Sequence, residues 1–266
     1  MIRAAVLGSP ISHSLSPVLH LTAYSELGIK GTFQAIEVKS GDLHNFISSK
    51  DSSWTGFSLT MPLKEEVIGV ANEIEEIAYQ VSSGNTLLRC HDGWKVTSTD
   101  VNGFIQSLYA HGYGEFEKVL ILGSGATARA AVAACTGFTK EITVLHRSAK
   151  REEAMRKSAP SIELKFVDWD SKVPASDLVI NTTPAGAADK FVGTDIFNGV
   201  FFEALYNPWP TKILEFARKS GAYGIDGLDL LIHQGIDQVS IMSGLTIDRA
   251  ELAPILRSAC LAKLGH

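Results

Sequence analysis

The chain has 266 residues, of which 45% are hydrophobic and 20% charged, and it carries a formal net charge of -5. That length exceeds one ordinary core and favours two domains. The mild acidity gives no general attraction for nucleic acid, and no run approaches the roughly 18 apolar residues of a membrane span. Cys90, Cys135 and Cys260 are an odd, widely spaced set without a CxxC pair, which argues against a disulfide framework and against a metal site. The opening MIRAAVLGSPISH lacks the charged and long apolar regions of a secretory signal, so a cytoplasmic location is expected.

From residue 2 onward, short apolar runs alternate with helical stretches. IRAAVLG reads as a strand, PVLHLTAYSELG as a helix, TFQAIEV as a strand and DLHNFISSK as a helix. GFSLTM follows as a strand and PLKEEVIGVANEIEEIAYQV as one long helix, then NTLLRC and GWKVTST as paired strands around His91, Asp92 and Gly93. A first domain therefore closes near residue 100. VNGFIQSLYAHG reads as an amphipathic connecting helix ended by Gly112 and Gly114. Beyond it, KVLIL, EITVLH, IELKFV, DLVINT and VFFEALY are strands with helices between most of them, the alternation of a parallel, doubly wound sheet. The fold class is thus α/β, an N-terminal α/β domain plus a Rossmann-like domain, with a ligand site expected in the cleft between them.

Gly123, Ser124, Gly125, Ala126, Thr127 and Ala128 form a G-x-G-x-x-A turn between the strand KVLIL and a helix. A turn of this kind lets the backbone approach a pyrophosphate at a helix N-terminus. An NAD enzyme usually carries an acidic residue about 20 positions further on. Here the next strand ends in His146, Arg147, Ser148, Ala149, Lys150 and Arg151, a cluster suited to a 2'-phosphate; the alternative is a solvated helix start with scattered basic residues. In the first domain, Ser14 and Ser16 precede Pro17 and a helix. Ser16 could be its cap, or the two hydroxyls could form a small carboxylate site. Lys64 falls in the first turn of the helix after Thr60, where a cation opposes the dipole, and Asp100 sits at a strand-to-helix junction, where an ordinary cap is the competing reading.

Eight segments in order, GSPISHSLSP (8–17), LTMPLK (59–64), GNT (84–86), STD (98–100), GSGATARA (123–130), NTTPAG (181–186), YNPWPT (206–211) and LIHQG (231–235), resemble signatures of the shikimate dehydrogenases, nearly end to end. The resemblance implies reversible NADPH-dependent reduction of 3-dehydroshikimate to shikimate in aromatic amino-acid biosynthesis. It implies that Ser14 and Ser16 bind the substrate carboxylate, that Ser58, Thr60, Lys64, Asn85, Asp100 and Gln234 surround the ring with Tyr206 nearby, and that Lys64 and Asp100 are the catalytic pair. For NADP it implies Gly123, Ser124, Gly125, Ala126, Thr127, His146, Arg147, Arg151, Thr182, Thr183, Ala204 and Gly227. It also implies that the last helices return to the first domain, giving a substrate domain of 1–101 with 236–266 and a cofactor domain of 102–235, in a monomer or homodimer. Ser58, Ser98 and His146 each stand where the family most often has Asn. Two alternatives remain: an NAD-dependent quinate/shikimate dehydrogenase, and a dinucleotide-binding regulator without turnover. His13, His20 and His233 flank these residues and receive no role.

Overall fold

The computed structural model describes residues 1–194 and 199–266. In chain order its elements are β1 (Ile2–Gly8), α1 (Ser16–Glu26), β2 (Gly31–Glu37), α2 (Leu43–Ser48), β3 (Gly56–Leu59), α3 (Leu63–Glu66), β4 (Glu73–Ile74), α4 (Glu76–Gln80), β5 (Thr86–Cys90) and β6 (Gly93–Thr97). There follow α5 (Asp100–Ala110), β7 (Val119–Leu122), α6 (Ala126–Cys135), β8 (Ile142–His146), α7 (Glu152–Ser158), β9 (Leu164–Asp168), β10 (Leu178–Asn181) and β11 (Val200–Glu203). Last come α8 (Lys212–Lys219), β12 (Tyr223–Ile225), α9 (Gly227–Ser243) and α10 (Arg249–Leu264). They divide into two compact units, Met1–Thr99 with Leu231–His266, and Asp100–Leu230. The structure thus groups residues 231–235 with the first unit, because the side chains of α9 from Gln234 onward bond to residues around β5.

The first unit is built on a mixed sheet in the order β2-β1-β3-β5-β6-β4. β1 is buried along nearly its whole length and pairs parallel with both β2 and β3, which is why its sequence is apolar from Ala4 onward rather than alternating. β5 pairs antiparallel with β3 and with β6. One core gathers around Phe57, whose ring centroid lies 4.8 Å from that of Trp54 and 5.3 Å from that of Trp94. Burying a side chain of that size contributes about 2 to 3 kcal/mol.

The long helix expected over 62–81 is not formed. Its residues make the short α3, a 3₁₀ turn at Val67–Gly69, the edge strand β4 and the short α4. The Asn72 N–H donates to Trp94 O at 2.8 Å, its side-chain oxygen accepts from Trp94 N at 2.9 Å, and β4 pairs with β6. Cross-strand partners over 20 residues away therefore outweigh the local helical pattern.

The second unit holds a sheet in the order β12-β11-β10-β7-β8-β9, with every pair parallel. Counted from β7 this is the 3-2-1-4-5-6 order of the Rossmann fold, whose switch point lies between the first and fourth strands, here β7 and β10. The central strands β7, β10 and β11 are buried throughout. α5 sends Val101, Phe104 and Leu108 inward at helical spacing, and the Phe104 ring meets Phe202 edge-on at 5.1 Å. The three-residue strand β12, too short to show a period, was not expected from sequence, and β11 ends at Glu203, three residues before the expected end.

Candidate active site

In the first unit the predicted substrate residues collect where β1 and β3 end. The Thr60 N–H donates to Leu7 O at 2.9 Å, that of Leu59 to Asn85 O at 2.8 Å, and that of Gly84 to Lys64 O at 2.8 Å. These bonds tie the segments carrying Thr60, Lys64 and Asn85 to one sheet edge. Ser16 is not the cap of α1. It is the first helical residue, and its own N–H donates to Ser14 Oγ at 3.3 Å, which couples the two serines without engaging the Ser16 hydroxyl as a cap.

Asn85, 2% exposed, is the centre of a polar cluster. Its Nδ2 donates to Gln234 Oε1 at 3.0 Å and to Thr99 Oγ1 at 2.9 Å, while its Oδ1 accepts from Thr99 N at 2.8 Å. Gln234 Nε2 donates in turn to Leu231 O at 2.7 Å. Asn85 and Gln234, 149 residues apart, are therefore brought into direct contact. The Ser58 hydroxyl is buried and donates to Gln238 Oε1 at 2.7 Å. Lys64 belongs to the first unit, whereas Asp100, buried at the start of α5, and Tyr206 belong to the second.

The predicted cofactor residues lie at the switch point of the second sheet. Gly123 follows β7 with φ of +109°, and a Cβ there would meet Thr182 Oγ1 at 2.7 Å, so glycine is required both by backbone and by space. Gly125 precedes α6 with no side-chain cap bond on the helix N-terminus, which leaves backbone donors for an anion. A Cβ on Gly125 would have Arg151 Nη1 3.5 Å away, and the same guanidinium donates to Ser124 O at 3.4 Å. The turn is thus open in front and flanked by a cation, a fit to a phosphorylated dinucleotide. Arg147 is exposed beside it; His146 is buried, edge-on to Phe166 at 5.3 Å, with Nε2 3.3 Å from Glu152 Oε1.

The other loops predicted to line the cofactor are held by a carboxylate not singled out from sequence. Glu203, fully buried at the end of β11, accepts from Asn181 Nδ2 at 3.1 and 3.0 Å, Thr211 Oγ1 at 2.7 Å and Leu205 N at 3.1 Å. Burial pushes its carboxyl up, against the opposing pull of these hydrogen bonds. Asn181 then accepts from Thr183 N and Oγ1, so Glu203 fixes the Thr182–Thr183 loop and the segment after Ala204 together. A Cβ on Gly227 would fall 2.3 Å from the Leu205 carbonyl, so glycine there lets α9 begin against that segment.

A family model, the shikimate dehydrogenase substrate binding domain, matches residues 6–87. A protein of Nostoc sp. named shikimate dehydrogenase (NADP(+)) is 32% identical, covering 98% of this chain and 96% of its own. The chain belongs to the shikimate dehydrogenase family. Among solved structures, the Mycobacterium tuberculosis shikimate dehydrogenase shares 33% identity at a TM-score of 0.87, covering 97% of this chain and 99% of its own. A shikimate 5-dehydrogenase of Thermus thermophilus, solved in complex with NADP(H) and shikimate, shares 28% at a TM-score of 0.83, covering 97% and 100%. The α/β architecture of substrate domain and Rossmann-like domain is that of the shikimate dehydrogenases. Among the described residues no helix is long and apolar enough to cross a membrane.

For a shikimate dehydrogenase, sequence reasoning passed over Thr99, Gln238, Asn181 and Glu203, all of which hold predicted site residues. Gln238 had one usable signal, its i+4 spacing from Gln234 on a helix. Glu203 had one too, a lone carboxylate ending an apolar strand.

Proposed function

We propose that the chain is an NADP-dependent shikimate dehydrogenase that reversibly reduces 3-dehydroshikimate to shikimate in the cytoplasm, as a monomer or homodimer. Family membership supplies the substrate class. The observation that carries the cofactor is Arg151, whose guanidinium stands beside the Gly125 turn, on the segment that follows β8, the strand at whose end an enzyme selective for NAD usually carries an acid.

The bound nicotinamide supplies or accepts hydride. The chain's residues do the rest. The helix N-terminus of α6, reached over Gly123, Ser124, Gly125, Ala126 and Thr127, holds the pyrophosphate, and Arg147 and Arg151 hold the 2'-phosphate by charge-assisted hydrogen bonds, with His146 next to Arg147 at the end of β8. Thr182, Thr183, Ala204 and Gly227 shape the nicotinamide end. Ser14 and Ser16 donate to the substrate carboxylate, while Thr60, Asn85, Tyr206 and Gln234 read the ring. Lys64 Nζ gives a proton to the carbonyl oxygen of 3-dehydroshikimate as charge develops there, and takes it back in the oxidative direction. Asp100 orients a ring hydroxyl.

Nicotinamide absorbance, followed with shikimate and quinate each paired with NADP and NAD, tests this reading. The expected result is a kcat/KM for shikimate with NADP well above the other three. Preference for NAD or quinate would make the chain a quinate/shikimate dehydrogenase. Ligand binding without turnover in any pairing would make it a regulator.

A further inference from the structure

Gln238 lies one helical turn beyond Gln234, so both amides project from one face of α9. Its side chain is 1% exposed and makes contacts at both ends. Oε1 accepts from Ser58 Oγ at 2.7 Å and lies 3.2 Å from His20 Nε2. Nε2 donates to Asn85 O at 3.0 Å and to Thr86 Oγ1 at 2.9 Å.

The direction of every bond in this cluster follows from one of them. The Asn85 main-chain carbonyl can only accept, so the Gln238 amide nitrogen must face it and the amide oxygen must face Ser58 and His20. His20 is fully buried, stacked on Phe33 at 3.8 Å, and burial pulls its pKa down to about 3. The ring is therefore neutral, and the contact with Gln238 requires its proton on Nε2. Thr86 Oγ1, which accepts from Gln238, sends its own proton to Asn85 Oδ1 at 2.9 Å. The Thr99 N–H arrives at the same oxygen, so Asn85 Nδ2 is turned toward Gln234 Oε1. Donation runs one way, from His20 through Gln238 and Thr86 to Asn85 and on to Gln234.

We propose that Gln238 is a positioning residue for substrate recognition. Through Asn85 O and Thr86 Oγ1 it fixes the place of Asn85, and with it which ends of the Asn85 and Gln234 amides donate and accept. Ser58 and His20 act by holding the Gln238 oxygen, so the short serine at position 58 serves the site from behind rather than by touching the ring. An amide turned the wrong way sets donor against donor or acceptor against acceptor, and in a buried cluster that error is costly. The inference rests on the reading of Asn85 and Gln234 as substrate groups.

A double-mutant cycle tests it, with shikimate affinity read by ligand-observed NMR on the wild type, Gln238→Met, Asn85→Ala and the double variant. Methionine fills a similar volume without the hydrogen bonds. Gln238→Met should weaken shikimate binding roughly ten-fold and leave the NADP dissociation constant unchanged. It should add little in the Asn85→Ala background, because its effect passes through Asn85. Ser58→Ala, which leaves both Nε2 bonds in place, should give a smaller loss of shikimate affinity. Additive effects of the two substitutions, or unchanged affinity in Gln238→Met, overturn the proposal while the functional reading stands. Absence of shikimate binding by the wild type removes that reading and the proposal with it. Should Gln238→Met fail to fold, Gln238→Glu keeps the acceptor for Ser58 and His20, loses the two donors, and takes its place in the cycle under the same criteria.

Discussion

Lys64 is the second residue of a four-residue helix in which Glu65 and Glu66 supply the negative charge that a helix start prefers. Its proposed role as the proton donor makes a direct prediction. Lys64→Ala should lower kcat roughly 100-fold or more while shifting the shikimate KM far less; steady-state kinetics in both directions checks this, and unchanged turnover would remove Lys64 from the reaction. His20 makes a prediction of another kind. Its folded pKa, about 3, lies below the unfolded value of 6.5, so the neutral ring contributes stability that is present above pH 6.5 and lost as pH falls toward 3. The loss approaches about 1.4 kcal/mol per pH unit for one proton. Urea unfolding between pH 7.5 and 5 should show His20→Gln with a shallower acid slope than the wild type; equal slopes would assign the acid sensitivity to other groups. At this scale the sequence singled out Ser14, Asn85 and Gln234 but passed over Gln238 and Glu203. Their partners lie far along the chain or only become neighbours in the sheet, and the sequence shows no local pattern that a buried polar side chain must obey.

The turn between β7 and α6 was legible as an element because its constraints are local. Gly123 and Gly125 carry different ones. Gly123→Ala adds a side chain at φ of +109° and within 2.7 Å of Thr182 Oγ1, whose hydroxyl donates to Leu122 O at 2.8 Å; it should cost about 1 to 3 kcal/mol of stability and weaken NADP binding as well. Gly125→Ala meets only the Arg151 guanidinium, at 3.5 Å, and should leave stability within about 0.5 kcal/mol while still weakening NADP. Denaturant unfolding with and without a nicotinamide-fluorescence titration separates the two, and equal loss of stability in both variants would contradict the assignment. The segment 62–81 shows the opposite case. Its apolar and charged residues keep a helical spacing, yet Asn72 and Glu73 pair with Trp94 and Lys95 across the sheet. The gain from completing an edge exceeds the few tenths of a kcal/mol by which propensity separates the local alternatives.

At the scale of the whole molecule, two sheets of six strands each among the described residues are ordered by connections that sequence alternation only partly reveals. In the second unit, strands several of which are separated by helices favour parallel pairing and, through right-handed crossovers, a switch point between β7 and β10. That rule accounts for the legibility of the glycine turn after β7. In the first unit, β5 enters antiparallel between β3 and β6, and its position brings Asn85 beside the returning helix α9. The sequence by itself determined the α/β alternation, the glycine turn between β7 and α6, the basic cluster after β8 and the ordered motifs of the family. Each of these is written in residues a few positions apart. Only the tertiary structure decided that residues 62–81 break into short elements, that Ser16 is not a cap, and that Gln238 joins His20, 218 residues away, to Ser58 and Asn85. Such contacts depend on which buried donors and acceptors meet once the sheet is assembled, and a buried polar group is stable only with the partner that the assembled fold supplies.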